Sequence, residues 1–275
     1  MIRTIVTGVN GRMGATLVRM VGSEADMRVV GGTERKGSEF LGVDVGAAAR
    51  FKEVGVPVRD DLDRAIAEGR PDVVIDFTAA SASLAHARIC AEKKVPMVIG
   101  STGFTPETKA EVAEAARKIP VVMAPNMSVG VNLIIKMAGQ LAKSLGDGFD
   151  VEIVEAHHRM KKDAPSGTAL RLAEEIAGVL GRKSSTFRTA RVGQVGERPA
   201  GEIGIQSIRG GDVVGEHTVI FFGEGERVEL IHRALNRDQF AKGALRAARW
   251  VIAQPSGLYD MQDVLGLRNP PAAPA

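Results

Sequence analysis

Between Val151 and Leu170 the chain reads VEIVEAHHRMKKDAPSGTAL, with two of its five histidines side by side at His157 and His158. An imidazole titrates near 6.5, so it can give or take a proton around neutrality. VEIVEAHHR reads as a strand, which sends neighbouring side chains to opposite faces. The two rings are therefore not expected to share a metal ion. No cysteine or carboxylate cluster completes a zinc set, and no metal is expected. Two separate roles fit better: one ring moves a proton, and the other donates a hydrogen bond to an anion. Ser166 fits the N-cap of a helix beginning GTALRLAEE, and Pro165 helps to end the extended segment before it. The first amides, at Gly167 and Thr168, then form an anion site. Lys161 adds a full charge, worth roughly 4 kcal/mol at about 4 Å and an effective dielectric near 20. A helix end supplies roughly 0.3–2 kcal/mol. The lysine thus governs affinity and the amides govern orientation, a combination suited to a small substrate with more than one carboxylate. The competing reading is a polar surface loop joined to an ordinary capped helix.

A second candidate lies at the N-terminus. VTGVNGRMG places Gly8, Gly11 and Gly14 between a first strand and a first helix, where backbone amides can approach a pyrophosphate. The spacing departs from the commoner G-x-G-x-x-G, and a plain strand-helix turn can also be rich in glycine. Glu34 follows Gly14 by 20 residues, where an acid can bond the adenosine ribose diol. Arg35 and Lys36 can instead accept a 2′-phosphate. The pairing suggests tolerance of both NADH and NADPH. DFTAAS (76–81), GSTGF (100–104) and APNMS (124–128) fall where the carboxyl ends of parallel strands would line the cofactor crevice. His86, His217 and His232 read as structural or surface residues. Cys90 reads as a small packed residue, poorly placed for the nucleophile that a phosphorylating semialdehyde dehydrogenase would need.

The elements that must carry these groups follow two rhythms. Residues 3–128 alternate short β-branched runs with helical segments, which indicates a doubly wound parallel sheet covered on both faces. From about residue 149, GEIGIQSIRGGDVVGEHTVIFF and ERVELIHRAL lack comparable intervening helices. They predict a second α+β domain on a mixed or antiparallel sheet, with one helix near 166–180. DQFAKGALRAARWVIAQ returns to helix, with Phe240, Ala244, Ala247 and Val251 on one face, and is placed back against the first domain. The tail NPPAAPA reads as disordered.

The 36 Lys and Arg against 33 Asp and Glu are interspersed, and the chain has one Trp and one Tyr. A nucleic-acid binder would show clustered bases with interleaved aromatics. No apolar run reaches the length of a membrane span, and Asn10 and Arg12 interrupt any secretory leader. The single cysteine excludes an intrachain disulfide, and a cytoplasmic protein is expected.

VTGVNGRMG, DFT, VIGSTGF, NMSVGVN, EAHHRMKKDAPSGTA and GDVVGEHTV together resemble the motifs of the 4-hydroxy-tetrahydrodipicolinate (dihydrodipicolinate) reductases, in order, from Arg3 to about Leu267. The resemblance implies a Rossmann-like nucleotide domain, 1–128 with 238–275, and a substrate-binding and oligomerisation domain at 129–237. It further implies NADH or NADPH as cofactor, a dicarboxylate substrate and a homotetramer. His157 would be the catalytic proton donor or acceptor. Lys161 would be a proton donor and substrate contact. His158, Gly167 and Thr168 would bind substrate carboxylate. Cofactor contacts would come from Gly8, Val9, Asn10, Gly11, Arg12 and Met13, from Glu34 and Arg35, from Gly100, Ser101 and Thr102, and from Ala124, Pro125, Asn126 and Met127. Met160 replaces a histidine found in some members, and Pro125 and Met127 stand where relatives can carry Ala and Phe.

Overall fold

In a computed structural model, residues 1–268 are described, and the tail read as disordered lies outside them. The chain divides into two compact units, 1–129 with the segment from 238 onward, and 130–237. In the first unit β1 (Ile2–Thr7), α1 (Arg12–Val21), β2 (Met27–Thr33), α2 (Val45–Ala48), β3 (Val58–Arg59), α3 (Leu62–Gly69), β4 (Val73–Asp76), α4 (Ala80–Lys93), β5 (Met97–Ile99), α5 (Pro106–Ala116) and β6 (Pro120–Met123) follow in turn. The second unit comprises α6 (Val129–Leu145), β7 (Asp150–His157), α7 (Gly167–Val179), β8 (Phe187–Arg188), β9 (Ile203–Arg209), β10 (Gly215–Phe222) and β11 (Arg227–Ala234). The chain then re-enters the first unit with α8 (Asp238–Val251), β12 (Gly257–Tyr259) and α9 (Met261–Val264).

The first unit holds a seven-stranded sheet ordered β12-β6-β5-β4-β1-β2-β3, with every pairing parallel. Its central strands β4, β5 and β6 are nearly continuous apolar runs because both faces are covered. Val6, Ile75 and Val122 enter a core built with α1 and α8, while their neighbours Ile5, Val74 and Val121 enter a core built with α3, α4 and α5. The strand order reverses between β1 and β4, the switch point at which doubly wound sheets bind ligands beyond their carboxyl ends. Cys90 is fully buried in the second of these cores.

The second unit is built on a mixed five-stranded sheet ordered β11-β10-β7-β9-β8. β10 runs antiparallel to both β7 and β11, and β9 runs parallel to β7 and β8. Val151, Ile153, Val219 and Phe221 turn to one face and pack under α6 and α7. The opposite face presents Ile208, Phe222 and Ile231, between 37% and 54% exposed. Two details differ from the sequence reading. The long stretch from Gly201 to Phe222 is two strands joined by a turn around Gly210–Asp212, where Gly211 takes φ +51°. A helix not anticipated, α6, precedes the anticipated one near 166–180.

Candidate active site

In the first unit the glycine turn is fixed by its backbone. Gly8 takes φ +65°, and its N–H donates to Thr33 O at 2.8 Å, tying the end of β1 to the end of β2. A Cβ on Gly14 would lie 1.9 Å from Gly8 O, so no side chain fits there. Gly11, the residue before α1, offers no side-chain cap, so the helix's first amides keep their capacity for an anion. Glu34 caps the loop instead: one oxygen accepts from Asn10 N–H at 3.0 Å, and the other accepts from Arg35 N–H at 3.3 Å.

Two adjoining hollows of about 370 and 510 Å³ share Gly8, Glu34, Arg35 and Thr78 in their walls, and Asn10 and Gly11 line the larger. Val9 is fully buried and Met13 packs against the core, so these two can offer a ligand only backbone or a partial side chain. Arg12 is exposed on the first turn of α1. Gly100, Ser101 and Thr102 follow β5, and Ala124, Pro125, Asn126 and Met127 follow β6; none of them lines either hollow. Met127 is 1% exposed and belongs to the core, so only its backbone can reach a ligand.

Beneath this site lies a residue that the sequence reading left without a role of its own. Asp76 ends β4 fully buried, with the hydroxyls of Thr78, Ser83 and Ser101 at 2.7, 2.7 and 3.1 Å from Oδ1. His86 Nδ1 lies 2.5 Å from Oδ2. Burial opposes the charge on Asp76, but the hydrogen bonds from His86, Ser83 and Thr78 hold its carboxyl down to about 2. The Ser101 hydroxyl is therefore turned inward. His86, read from sequence as structural or surface, lines the smaller hollow. The signal lay in DFT, whose aspartate stands at a strand end beside its own partner Thr78, but the remaining partners come from α4 and the loop after β5.

In the second unit β7 delivers Glu155 and His157 to the helix-covered face, and the strand ends at His157. It stops there because its ladders run out: the last pairs are Ala156 with Glu216 and His157 with Arg209. His158 leaves the strand, donating its N–H to Val213 O at 2.7 Å, so the regular alternation expected of the pair is not continued. Lys161 closes a turn on His158 O, and its ammonium bonds Asp163 at 2.9 Å. Ser166 caps α7, its hydroxyl accepting from Ala169 N–H at 3.2 Å, and the amides of Gly167 and Thr168 precede that bond at the positive helix end. His157, His158, Lys161, Gly167 and Thr168 thus belong to one strand end, one turn and one helix start.

Three further residues complete the cluster. Glu155, fully buried, lies 2.6 Å from His157 Nδ1 and accepts from Ser166 N–H at 3.1 Å. Arg209 at the end of β9 bonds both Glu155 oxygens, at 2.9 and 2.8 Å. Burial opposes the Glu155 charge, but bonds from Arg209, Ser207 and His157 hold its carboxyl down to about 2. His217 on β10 is 3% exposed, its Nε2 lies 3.2 Å from Ser166 Oγ, and its ring meets His157 edge-on at 5.3 Å. Burial pushes His217 down to about 3, which keeps it neutral. His157 is also lowered, chiefly by burial; Glu155 pulls it up, while Lys161 and Arg209 push it down. The cluster offers a proton-transfer group beside a cation and a helix start.

Residues 2–127 match the family described as "Dihydrodipicolinate reductase, N-terminus", and residues 130–265 match "Dihydrodipicolinate reductase, C-terminus". A 4-hydroxy-tetrahydrodipicolinate reductase from Myxococcus xanthus is 62% identical over 269 residues, covering 98% of this chain and 99% of the relative. One from Geobacter sulfurreducens is 53% identical, covering 98% of this chain and all of the relative. Among solved structures, a dipicolinate-bound dihydrodipicolinate reductase from Paenisporosarcina sp. TG-14 superposes with a TM-score of 0.77 at 31% identity, over 96% of this chain and 98% of that one. With both of its units matched and relatives alike along almost their whole length, the chain belongs to the dihydrodipicolinate reductase family.

Proposed function

We propose that the chain reduces the cyclic, conjugated imine dicarboxylate derived from 4-hydroxy-tetrahydrodipicolinate to tetrahydrodipicolinate, a step of the diaminopimelate route to lysine. What carries this reading is the His157 cluster: a carboxylate-braced imidazole, an ammonium and a helix N-terminus within twelve residues of chain. Dipicolinate, the ring diacid held by the Paenisporosarcina relative, has the two carboxylates that such a segment can bind.

A nicotinamide dinucleotide fits what the first unit offers. The bare backbone at Gly8 and Gly14 and the uncapped start of α1 form a cradle for a pyrophosphate. Glu34 suits the ribose diol of NADH, and Arg35 suits the 2′-phosphate of NADPH. When bound, the reduced cofactor supplies a hydride to C4 of the substrate. Gly8 to Met13, Gly100 to Thr102 and Ala124 to Met127 would hold it, largely through backbone.

In the second unit the amides of Gly167 and Thr168, the ring of His158 and the ammonium of Lys161 bind the carboxylates. Lys161 then exchanges Asp163 for substrate and draws electron density from the ring. Hydride addition leaves negative charge on the conjugated system, and His157 quenches it with a proton. The resting ring is mostly neutral at pH 7, because its pKa lies below the ordinary 6.5. A bound dianion favours the imidazolium and so charges the donor when it is needed. General acid catalysis of this kind contributes about 10²–10⁴ in rate.

The uncovered face of the five-stranded sheet, with Ile208, Phe222 and Ile231 exposed, suits self-association, and we assign it to a homotetramer. The thiolate mechanism of a semialdehyde dehydrogenase is excluded, since Cys90 is fully buried and burial pushes its thiol up. Mixing the chain with NADH or NADPH and freshly condensed pyruvate and aspartate semialdehyde should consume the reduced nicotinamide absorbance with either cofactor. No consumption with either would refute the assignment.

A further inference from the structure

Glu155 stands directly behind the His157 ring. It is fully buried, yet both oxygens are engaged: Oε1 accepts from Ser166 N–H and Arg209 Nη2, Oε2 accepts from Arg209 Nη1 and lies 2.6 Å from His157 Nδ1, and the rotatable Ser207 hydroxyl also bonds the carboxylate. A carboxylate that accepts on both oxygens can meet His157 only as a Nδ1–H donor. The tautomer is therefore decided before substrate arrives. Arg209 cannot deprotonate and holds the carboxylate in a planar fork, with its Nη2 also donating to Asp163 O. On the other side of the ring, a Cβ on Gly215 would stand 3.0 Å from Nε2, so glycine leaves that nitrogen free of a crowding side chain.

We propose that Glu155, locked by Arg209 and the Ser166 amide, is a positioning residue of the reduction: it fixes the proton of neutral His157 on Nδ1, leaves Nε2 as the atom that exchanges a proton with substrate, and balances the imidazolium. This inference rests on the proposed role of His157 and adds the residue that orients it. The charged or titratable groups around the ring are Glu155 on its own strand, Arg209 on β9, His217 on β10, and Lys161 with its partner Asp163 in the following turn. Lys161 and Arg209 oppose the imidazolium, His217 stays neutral and Asp163 is engaged with Lys161, so Glu155 is the carboxylate in direct contact with the ring that favours it.

The isosteric variant Glu155→Gln makes a directed prediction. A glutamine amide has one acceptor oxygen and must turn its NH₂ toward one pair of donors. Toward Arg209 Nη2 and the Ser166 amide it meets two fixed donors. Toward Arg209 Nη1 and His157 it meets one, because the imidazole can change tautomer. The variant should therefore carry the neutral His157 proton on Nε2.

Nitrogen-15 spectra of histidine-labelled, ligand-free protein read the tautomer without catalysis. Wild type should show His157 protonated at Nδ1, and Glu155→Gln should show it protonated at Nε2. A wild-type ring protonated at Nε2 would overturn the proposal whether or not the variant folds. In kinetics, Glu155→Gln should lower kcat about 10–100-fold, within the span of general acid catalysis. Its KM for the dicarboxylate should stay within about threefold of wild type, and the basic limb of its kcat–pH profile should move to lower pH. Glu155→Asp, which keeps the charge, should recover part of kcat. An unchanged kcat and pH profile, or a pH-independent loss with KM rising in step, would refute the positioning role. If the tautomers are as stated but His157→Gln leaves kcat intact, the proton-donor reading fails and the tautomer assignment stands.

Discussion

A histidine that donates a proton near neutrality has to be chargeable with substrate present and neutral afterwards. At His157 these demands are met by opposing neighbours: burial, Lys161 and Arg209 hold the ring neutral, while Glu155 keeps the imidazolium within reach. His217 forms a dry, uncharged wall beside it, and that has a cost in acid. The unfolded chain protonates this residue near the ordinary 6.5, whereas the folded chain resists until about 3. Its folded-state pKa is depressed, so the unfolded state binds more protons across that window and stability falls as pH drops through it. The slope attributable to this group is at most about 1.4 kcal/mol per pH unit. Urea midpoints compared at pH 7 and pH 5 should fall less in His217→Phe than in wild type; an equal fall would show that His217 does not stay neutral. Asp76 and Glu155, both held down to about 2, titrate below this range and do not confuse the comparison. The residues legible in sequence here, His157, His158, Lys161, Gly167 and Thr168, sit within one short stretch. Glu155 stood in the same stretch, but Arg209 and His217 arrive from strands about fifty residues downstream, through pairings that only the fold creates.

The five-stranded sheet is asymmetric at the level of its elements. One face is sealed by α6 and α7, and the other carries Ile208 on β9, Ile231 on β11 and Phe222 on β10, with nothing in the chain's second unit packed over them. A bare apolar face of this kind invites a partner, and a second copy supplies a matching one. Light scattering should return four chains for wild type, and Ile231→Lys should reduce the mass by placing an ammonium in the contact. An unchanged mass in the variant would move the interface elsewhere. Elements were legible where period and punctuation agreed, as with Ser166 before α7 or the glycines before α1. α6 escaped because VGVNLIIKMAGQLAKSL opens on β-branched and apolar residues and carries Gly130 and Gly139 inside it, which weakens its helical pattern. β12 escaped because it is three residues long and exists only through its pairing with β6, more than a hundred residues earlier.

Across the whole molecule, the chain completes its parallel sheet with its last described strand, so the nucleotide unit is assembled from both ends of the sequence. The alternating rhythm of the first 128 residues made the doubly wound class legible, because parallel strands buried on both faces must be continuously apolar. The mixed sheet was harder to read, since its order follows from register and not from any local pattern. The proposed reduction depends on His157 being the proton donor to a reduced diacid. Its most direct test is a single-turnover measurement of nicotinamide oxidation, with wild type and His157→Gln both saturated with cofactor and substrate. The predicted result is a rate about 10²–10⁴ lower in the variant with cofactor affinity unchanged. A variant that turns over as fast as wild type would contradict it.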